Sequence, residues 1–351
     1  MTENATIFIP DISGYTDFMS KTELEHSSHI INELLDLLVQ SNTTACTLAE
    51  VEGDALLFYR KGEPIPLADL TAQCLDMFQN FHTLLKVIER DSICQCGACQ
   101  TASNLTLKFV IHYGTIKEIK VANFVKASGV DMIVAHRLLK NKIGSNEYIL
   151  ATRAYLDHNN GHAADKLAWQ TAFEEYPAVG KIDFQYALLE TIKSALPDLP
   201  PRETPKLTLS EGALELDIAA PMLTVYRLMT DLGNRKQWAN GVIDAEGDKP
   251  IDRLGVQHRC FFEDVTAEIT PAHSDVRDDQ IHYVEFSHIP KMGLKCFADY
   301  MLMKRGENLT HAVIKVGMAP GHELPPEAVA AVLQNYQASG ESFKAFCESH
   351  V

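Results

Sequence analysis

The chain has 351 residues, with 31 Lys and Arg against 47 Asp and Glu, for a formal net charge of -16. Hydrophobic residues make up 46% and charged residues 22%, a globular composition that excludes general disorder. The acidic balance argues against nucleic acid as a partner, and no apolar run approaches the ~20 residues of a membrane-spanning helix. The first residues, MTENATIFIPD, lack the basic and apolar segments of a secretory signal, so a cytoplasmic protein is expected. The 8 cysteines are too sparse for a disulfide scaffold. Single cores rarely grow past roughly 250–300 residues, so two domains are expected.

In chain order, ATIFIPDI predicts a short apolar strand that ends in Asp-Ile-Ser-Gly. A helix is expected from about Ser20 to Ser41, with Ile30, Ile31, Leu34, Leu35, Leu37 and Leu38 on one broad face. CTLAEVEGDALLFYR reads as a hairpin with Glu52-Gly53-Asp54 at its turn. A second helix, from about Leu67 to Glu89, leads into the cysteine-rich ICQCGACQ. The strand LTLKFVIHYG follows, then a strand around IKEIKVANF, a helix from about Gly129 to Asn141 and the strand EYILAT. LAWQTAFEEY and FQYALLE close this half as a strand pair. Strands and helices alternate without a regular βαβ beat, which predicts an α+β sandwich.

Pro197, Pro200, Pro201 and Pro205 crowd the next stretch, which can be neither helix nor interior strand and reads as a stiff linker. The linker is placed at 196–206, between a domain of residues 1–195 and a domain of residues 207–351. The second domain predicts the strand LTLSEGALELDI and the helix PMLTVYRLMTDLGNRKQW. HRCFFEDVTAEITP, IHYVEFSHI, KCFADYMLMKR and THAVIKVGMA follow as strands, and a long amphipathic helix from PPEAVAAVLQNYQ ends the order.

Two carboxylates stand out chemically. Asp11 ends the first strand and Asp54 sits at a hairpin turn beside a glycine, where side chains can reach a hard cation. Two such carboxylates can hold paired Mg²⁺ or Mn²⁺ ions for in-line attack at phosphorus. Taken singly, either Asp is also an ordinary turn or cap residue.

FIPDISGYTDFM, VEGDALLFY, LKFVIHYG and GVDMIVAHRL occur in the order and approximate spacing of class III adenylate and guanylate cyclase catalytic domains, and residues 5 to 190 resemble that family. The resemblance implies a ferredoxin-like α/β sandwich. It also implies that Asp11, the Ile12 carbonyl and Asp54 hold two Mg²⁺ or Mn²⁺ ions, and that Arg137 stabilises charge on the α-phosphate. The substrate would be ATP or GTP, whose ribose 3′-hydroxyl attacks the α-phosphorus and expels pyrophosphate. Because such sites lie between two catalytic domains, a homodimer is implied, with metals held by one chain and the base and Arg137 side supplied by the other.

Several positions depart from the family pattern. Ile133, four residues before Arg137, stands where the family has a transition-state Asn. At the base-reading positions are Glu50 and Lys126. Glu can accept from guanine N1 and N2 while Lys donates to O6, or the two can bond each other and fill an empty purine pocket. Lys181 is the candidate for the triphosphate-binding lysine.

Cys94, Cys96 and Cys99 form a C-x-C-x2-C cluster. Thiolates this close can meet one tetrahedral Zn²⁺ in a structural role, with His82, Cys74, His112, water or a second chain as the fourth ligand, or they are three thiols in a polar loop. The second half is similar to the START-like helix-grip superfamily, also called SRPBCC, notably in IAAPMLTVYRLMTDLGNRKQW. That similarity implies a curved antiparallel sheet gripping the last helix. It also implies an apolar cavity for a hydrophobic small molecule, walled by Leu333, Tyr336 and Phe343, or else a filled core. The two functional readings are a cyclase-like signalling enzyme with a ligand-sensing domain, and a catalytically degenerate cyclase fold that binds nucleotide or lipid or only dimerises.

Overall fold

The computed structural model describes residues 2–122, 124–159, 167–247 and 253–351. The chain opens with β1 (Glu3–Ser13), α1 (Tyr15–Lys21) and α2 (Leu24–Gln40), followed by the hairpin β2 (Thr47–Glu52) and β3 (Ala55–Lys61). Next come α3 (Leu67–Asp91), α4 (Gly97–Thr101), β4 (Thr106–Val121), β5 (Phe124–Ser128) and α5 (Val130–Leu138). Then follow β6 (Tyr148–Thr152), α6 (Arg153–Leu156), β7 (Trp169–Tyr176), β8 (Gly180–Leu188) and α7 (Glu190–Ser194). The later elements are β9 (Thr208–Ile218), α8 (Met222–Thr230), α9 (Arg235–Trp238), β10 (Asp244–Gly247) and β11 (His258–Phe261). β12 (Thr266–Val276), β13 (Gln280–Ile289), β14 (Leu294–Gly306), β15 (Leu309–Met318) and α10 (Pro326–Glu348) complete the order.

These elements form a mixed α+β protein with two sheets, divided into two compact units. The first unit comprises the residues up to Glu89 together with Gln100–Leu199, and the second comprises Arg90–Cys99 together with Pro200–Val351.

In the first unit the sheet order is β2-β3-β1-β4-β6-β8-β7, with β5 paired to β4. β1 is buried on both faces, as its unbroken apolar run dictates. Ala5, Ile7 and Ile9 pack in one cluster with Met132, Ala135 and Leu138 of α5. On the opposite face Phe8 stacks on Phe58 and Phe109. β4 runs unbroken from Thr106 to Val121 and joins two segments that the sequence reads as separate strands. The helix expected from about Ser20 to Ser41 is α2, which starts at Leu24, and the short helix α1 precedes it, parted from it by Thr22 in extended backbone.

The second unit is a seven-stranded antiparallel sheet of order β10-β11-β12-β13-β14-β15-β9. Alternating burial along β14 marks a sheet with one packed and one wetter face. Tyr226 and Met229 of α8, Trp238 of α9 and Phe343 of α10 pack in one core with Tyr283 and Tyr300. HRCFFEDVTAEITP, expected as one strand, is two (β11 and β12), because the chain turns at Phe262–Val265 and its two halves pair antiparallel. The segment 90–99 packs with this unit: Ile93 lies in its core, Ser92 bridges Arg253, and Arg227 donates to the Gln95 carbonyl at 2.6 Å. Between α10 and the sheet, where the sequence suggested a ligand cavity, Tyr336, Phe343, Trp238 and Tyr300 line a void of 20 Å³. A void of that volume holds about one water.

Candidate functional site

Two groups of polar side chains in the first unit are the candidates for a functional site. The first is built on β1 and the β2–β3 turn. β1 and β3 pair so that Asp11 faces Ala55, and the Ile12 amide donates to the Asp54 carbonyl at 3.0 Å, which sets the turn against the strand end. Gly53 takes φ 65° at this turn, a left-handed conformation that favours glycine. Asp11 is buried and forms an ion pair with Lys108 at 2.9 Å. Burial and then the neighbouring Asp11 charge push the Asp54 carboxyl above its ordinary range. Lys108 thus neutralises only part of the charge of two close carboxylates, and hard oxygen donors with surplus negative charge suit a divalent cation. Asp11, Asp54 and the Ile12 backbone fit the metal role in that respect.

Lys108 was missed in the sequence because its partnership depends on the β1–β4 register, which pairs Asp11 directly with Lys108. Neither residue's local sequence signals that pairing.

The second group lines an open cavity of 720 Å³ that contains Glu50 and Glu52 of β2, Lys126 of β5, and Ile133, His136 and Arg137 of α5, with Lys140 and Tyr176. Lys126 reaches both Glu50 oxygens, at 3.2 and 3.1 Å. His136 pairs with Glu52 at 3.3 Å. Arg137 forms no ion pair among the described residues, so its guanidinium is available to an anion entering the cavity. Asp11 and Asp54 are outside this lining.

α5 is placed by three devices. Asp131 accepts from His112 Nε2 at 3.1 Å and from the Thr115 amide at 2.6 Å, which pins the helix start to β4. The His112 hydrogen bond is the leading reason that the Asp131 carboxyl is held below its usual range. Gly114 makes this possible, since a Cβ there would stand 2.2 Å from Asp131 Cγ. At the other end of α5, the Tyr176 hydroxyl donates to the carbonyls of Arg137 and Lys140 at 2.8 and 3.1 Å, satisfying acceptors that a helix terminus leaves open.

Glu50, Lys126, Ile133 and Arg137 are therefore brought together, whereas Lys181 is not. It pairs with Asp183 at 2.8 Å and lies over the Phe173 ring, and the lysines of the cavity are Lys126 and Lys140. Cys94, Cys96 and Cys99 gather with their sulfurs within 4.8 Å of one another. The sequence's candidates for a fourth ligand are committed elsewhere. His82 pairs with Glu147 at 3.1 Å, His112 with Asp131 and Thr152, and Cys74 is fully buried.

The chain is thus an α+β protein carrying a carboxylate pair and a separate open cavity with a guanidinium. Residues 31–148 match the family described as a protein of unknown function, DUF2652. The chain is 33% identical over 159 residues to Uncharacterized protein Rv2561/Rv2562 of Mycobacterium tuberculosis, across 44% of this chain and 69% of that protein, and it belongs to that protein's family. Among solved structures it is similar to the non-canonical dimeric guanylyl cyclase domain of the RhoGC fusion protein from the aquatic fungus Blastocladiella emersonii. That match has TM-score 0.38 and 16% identity, over 54% of this chain and 98% of that one. A bacterial light-regulated adenylyl cyclase matches with TM-score 0.40 and 12% identity, over 54% of this chain and 52% of that one.

Proposed function

We propose that the first unit is a purine nucleoside triphosphate cyclase that works as a homodimer, each site taking the Asp11–Asp54 edge of one chain and the Arg137 cavity of the other. The observation that carries this reading is the separation within one chain. Glu50, Lys126 and Arg137 share a cavity, and the carboxylate pair does not line it. A two-fold copy supplies each group with its missing half. Exposed Val51, Val125, Val130 and Ile133 on β2, β5 and α5 give that face the apolar character of a contact surface.

Divalent ions held by Asp11, Asp54 and the Ile12 carbonyl would supply Lewis acidity toward the 3′-hydroxyl and the α-phosphate. The chain's own part is positioning and charge. Arg137 donates to α-phosphoryl oxygens as negative charge builds on them. Glu50 and Lys126, bonded to each other here, exchange partners for a base: an acceptor beside a donor meets the N1 and N2 hydrogens and O6 of guanine, or the N6 hydrogens and N1 of adenine, so the substrate is ATP or GTP. Ile133 offers no hydrogen bond in the cavity, which slows the chemistry.

The test incubates the purified protein with ATP or GTP and Mn²⁺ or Mg²⁺, and detects cyclic nucleotides by mass spectrometry. Wild type should give a cyclic purine nucleotide from one of the two triphosphates, and Asp54→Ala and Arg137→Ala alone should each lose it by ~10²–10³-fold. An equal mixture of the two variants, allowed to exchange chains, should recover about a quarter of wild-type activity, because half the dimers then carry one intact site. Turnover retained by Asp54→Ala, or nucleotide bound by wild type without any cyclic product, would refute the enzyme.

A further inference from the structure

We propose that Cys94, Cys96 and Cys99 bind one structural Zn²⁺ that fixes the loop from Cys94 to Cys99, a site independent of the cyclase reading. The three sulfurs lie within 4.8 Å of one another, and thiolates on a tetrahedral zinc with Zn–S of ~2.3 Å stand just under 4 Å apart. Small side-chain movements close that difference.

The backbone is already arranged for thiolate. The Cys99 amide donates to Cys96 Sγ at 3.4 Å, and a hydrogen bond to sulfur favours the charged form that a metal requires. Cys96-Gly97-Ala98-Cys99 is a tight two-residue spacing at the start of α4, with Cys94 reaching the same point from the preceding loop. Flanking contacts hold the cradle without help from any ion. Ile93 is buried in the core, Ser92 bridges Arg253, and Asp91 receives both Arg90 and Arg202 at 2.7–3.0 Å.

The donor set selects the ion. Three soft sulfurs with no carboxylate among them disfavour Mg²⁺ and Ca²⁺. Structural zinc accepts three sulfurs with one nitrogen or oxygen completing the tetrahedron. None of the eight cysteines is in a disulfide, and Cys46, Cys74, Cys260, Cys296 and Cys347 are each buried. The three thiols between Ile93 and Gln100 are the ones set together.

Full-length protein purified without chelator should carry one zinc per chain by elemental mass spectrometry. Cys94→Ser, Cys96→Ser and Cys99→Ser should each lower that content, while Cys46→Ser leaves it unchanged. Should a serine variant fail to fold, wild-type protein answers the question by itself. A strong chelator should remove the zinc and lower the melting temperature by several degrees, and added zinc should restore it. Replacement with Co²⁺ should give the charge-transfer and ligand-field absorption of tetrahedral thiolate coordination. Zinc far below one per chain that does not rise when zinc is supplied would overturn the proposal. So would a full complement of zinc in a Cys96→Ser/Cys99→Ser double variant.

Discussion

Ile133 is a half-exposed apolar side chain on the wall of a cavity whose other functional groups are charged, one turn of α5 before Arg137. Its cost is chemical rather than structural. Ile133 is 51% exposed, and on the proposed reading it leaves the cavity without a donor for developing charge. Ile133→Asn restores that donor without touching the buried face of α5, which Met132, Ala135 and Leu138 form. The expected outcome is a kcat for cyclic nucleotide formation raised by ~10–100-fold, abolished again when Asp54→Ala is added. A double variant as active as Ile133→Asn alone would remove Asp54 from the reaction. The cyclase resemblance singles out Ile133, Glu50 and Lys126 as candidates and leaves open whether the last two meet a base or each other; in this structure they are bonded to each other. Lys108 was not readable, because an ion pair across β1 and β4 is created by register and by no local pattern.

At the scale of elements, the question is what keeps α5 in place. The helix is short, from Val130 to Leu138, and short helices draw little stability from propensity. Its position comes from Asp131 clamped by His112 and Thr115, from Gly114 leaving room for that carboxylate, and from Tyr176 at the far end. Gly114→Ala places a methyl group 2.2 Å from Asp131 Cγ, inside any allowed contact. Either the Asp131 carboxylate swings off His112 and the Thr115 amide or the start of α5 shifts from β4, at a cost of ~1–3 kcal/mol. The melting temperature of the first unit should fall by several degrees, and Arg137-dependent activity should fall with it. A Gly114→Ala protein with wild-type melting and activity would show that α5 is not anchored through Asp131. The sequence made the strand and the helix legible by periodicity and marked glycine as a turn former. It did not reveal that this glycine serves a side chain seventeen residues later, since that contact exists only once β4 and α5 pack.

At the scale of the molecule, the α+β character and two-sheet organisation follow from strand and helix patterns, whereas the polar interior of the second unit does not. The salt bridge of Arg235 and Glu285, 2.6 Å long, is buried with the Tyr283 hydroxyl donating to the same carboxylate at 3.0 Å. In sequence these are an arginine in a helix and a glutamate in an apolar strand, fifty residues apart. His258 shares this interior. It is 2% exposed, and burial first, then the Arg235 charge, push its pKa down to about 4 from the ordinary 6.5. The folded state therefore keeps His258 neutral, while the unfolded chain takes up a proton as pH drops through 6.5. Stability is fully present above pH 6.5 and is lost as pH falls toward 4, by up to ~3 kcal/mol from this group. Denaturant unfolding followed by near-ultraviolet circular dichroism at several pH values should show that decline in wild type. His258→Gln cannot take up the proton in either state, so its stability should vary much less over the same window. Parallel declines in the two proteins would place the acid sensitivity in other groups, and the charge of Arg235 would then have no bearing on how His258 responds to acid.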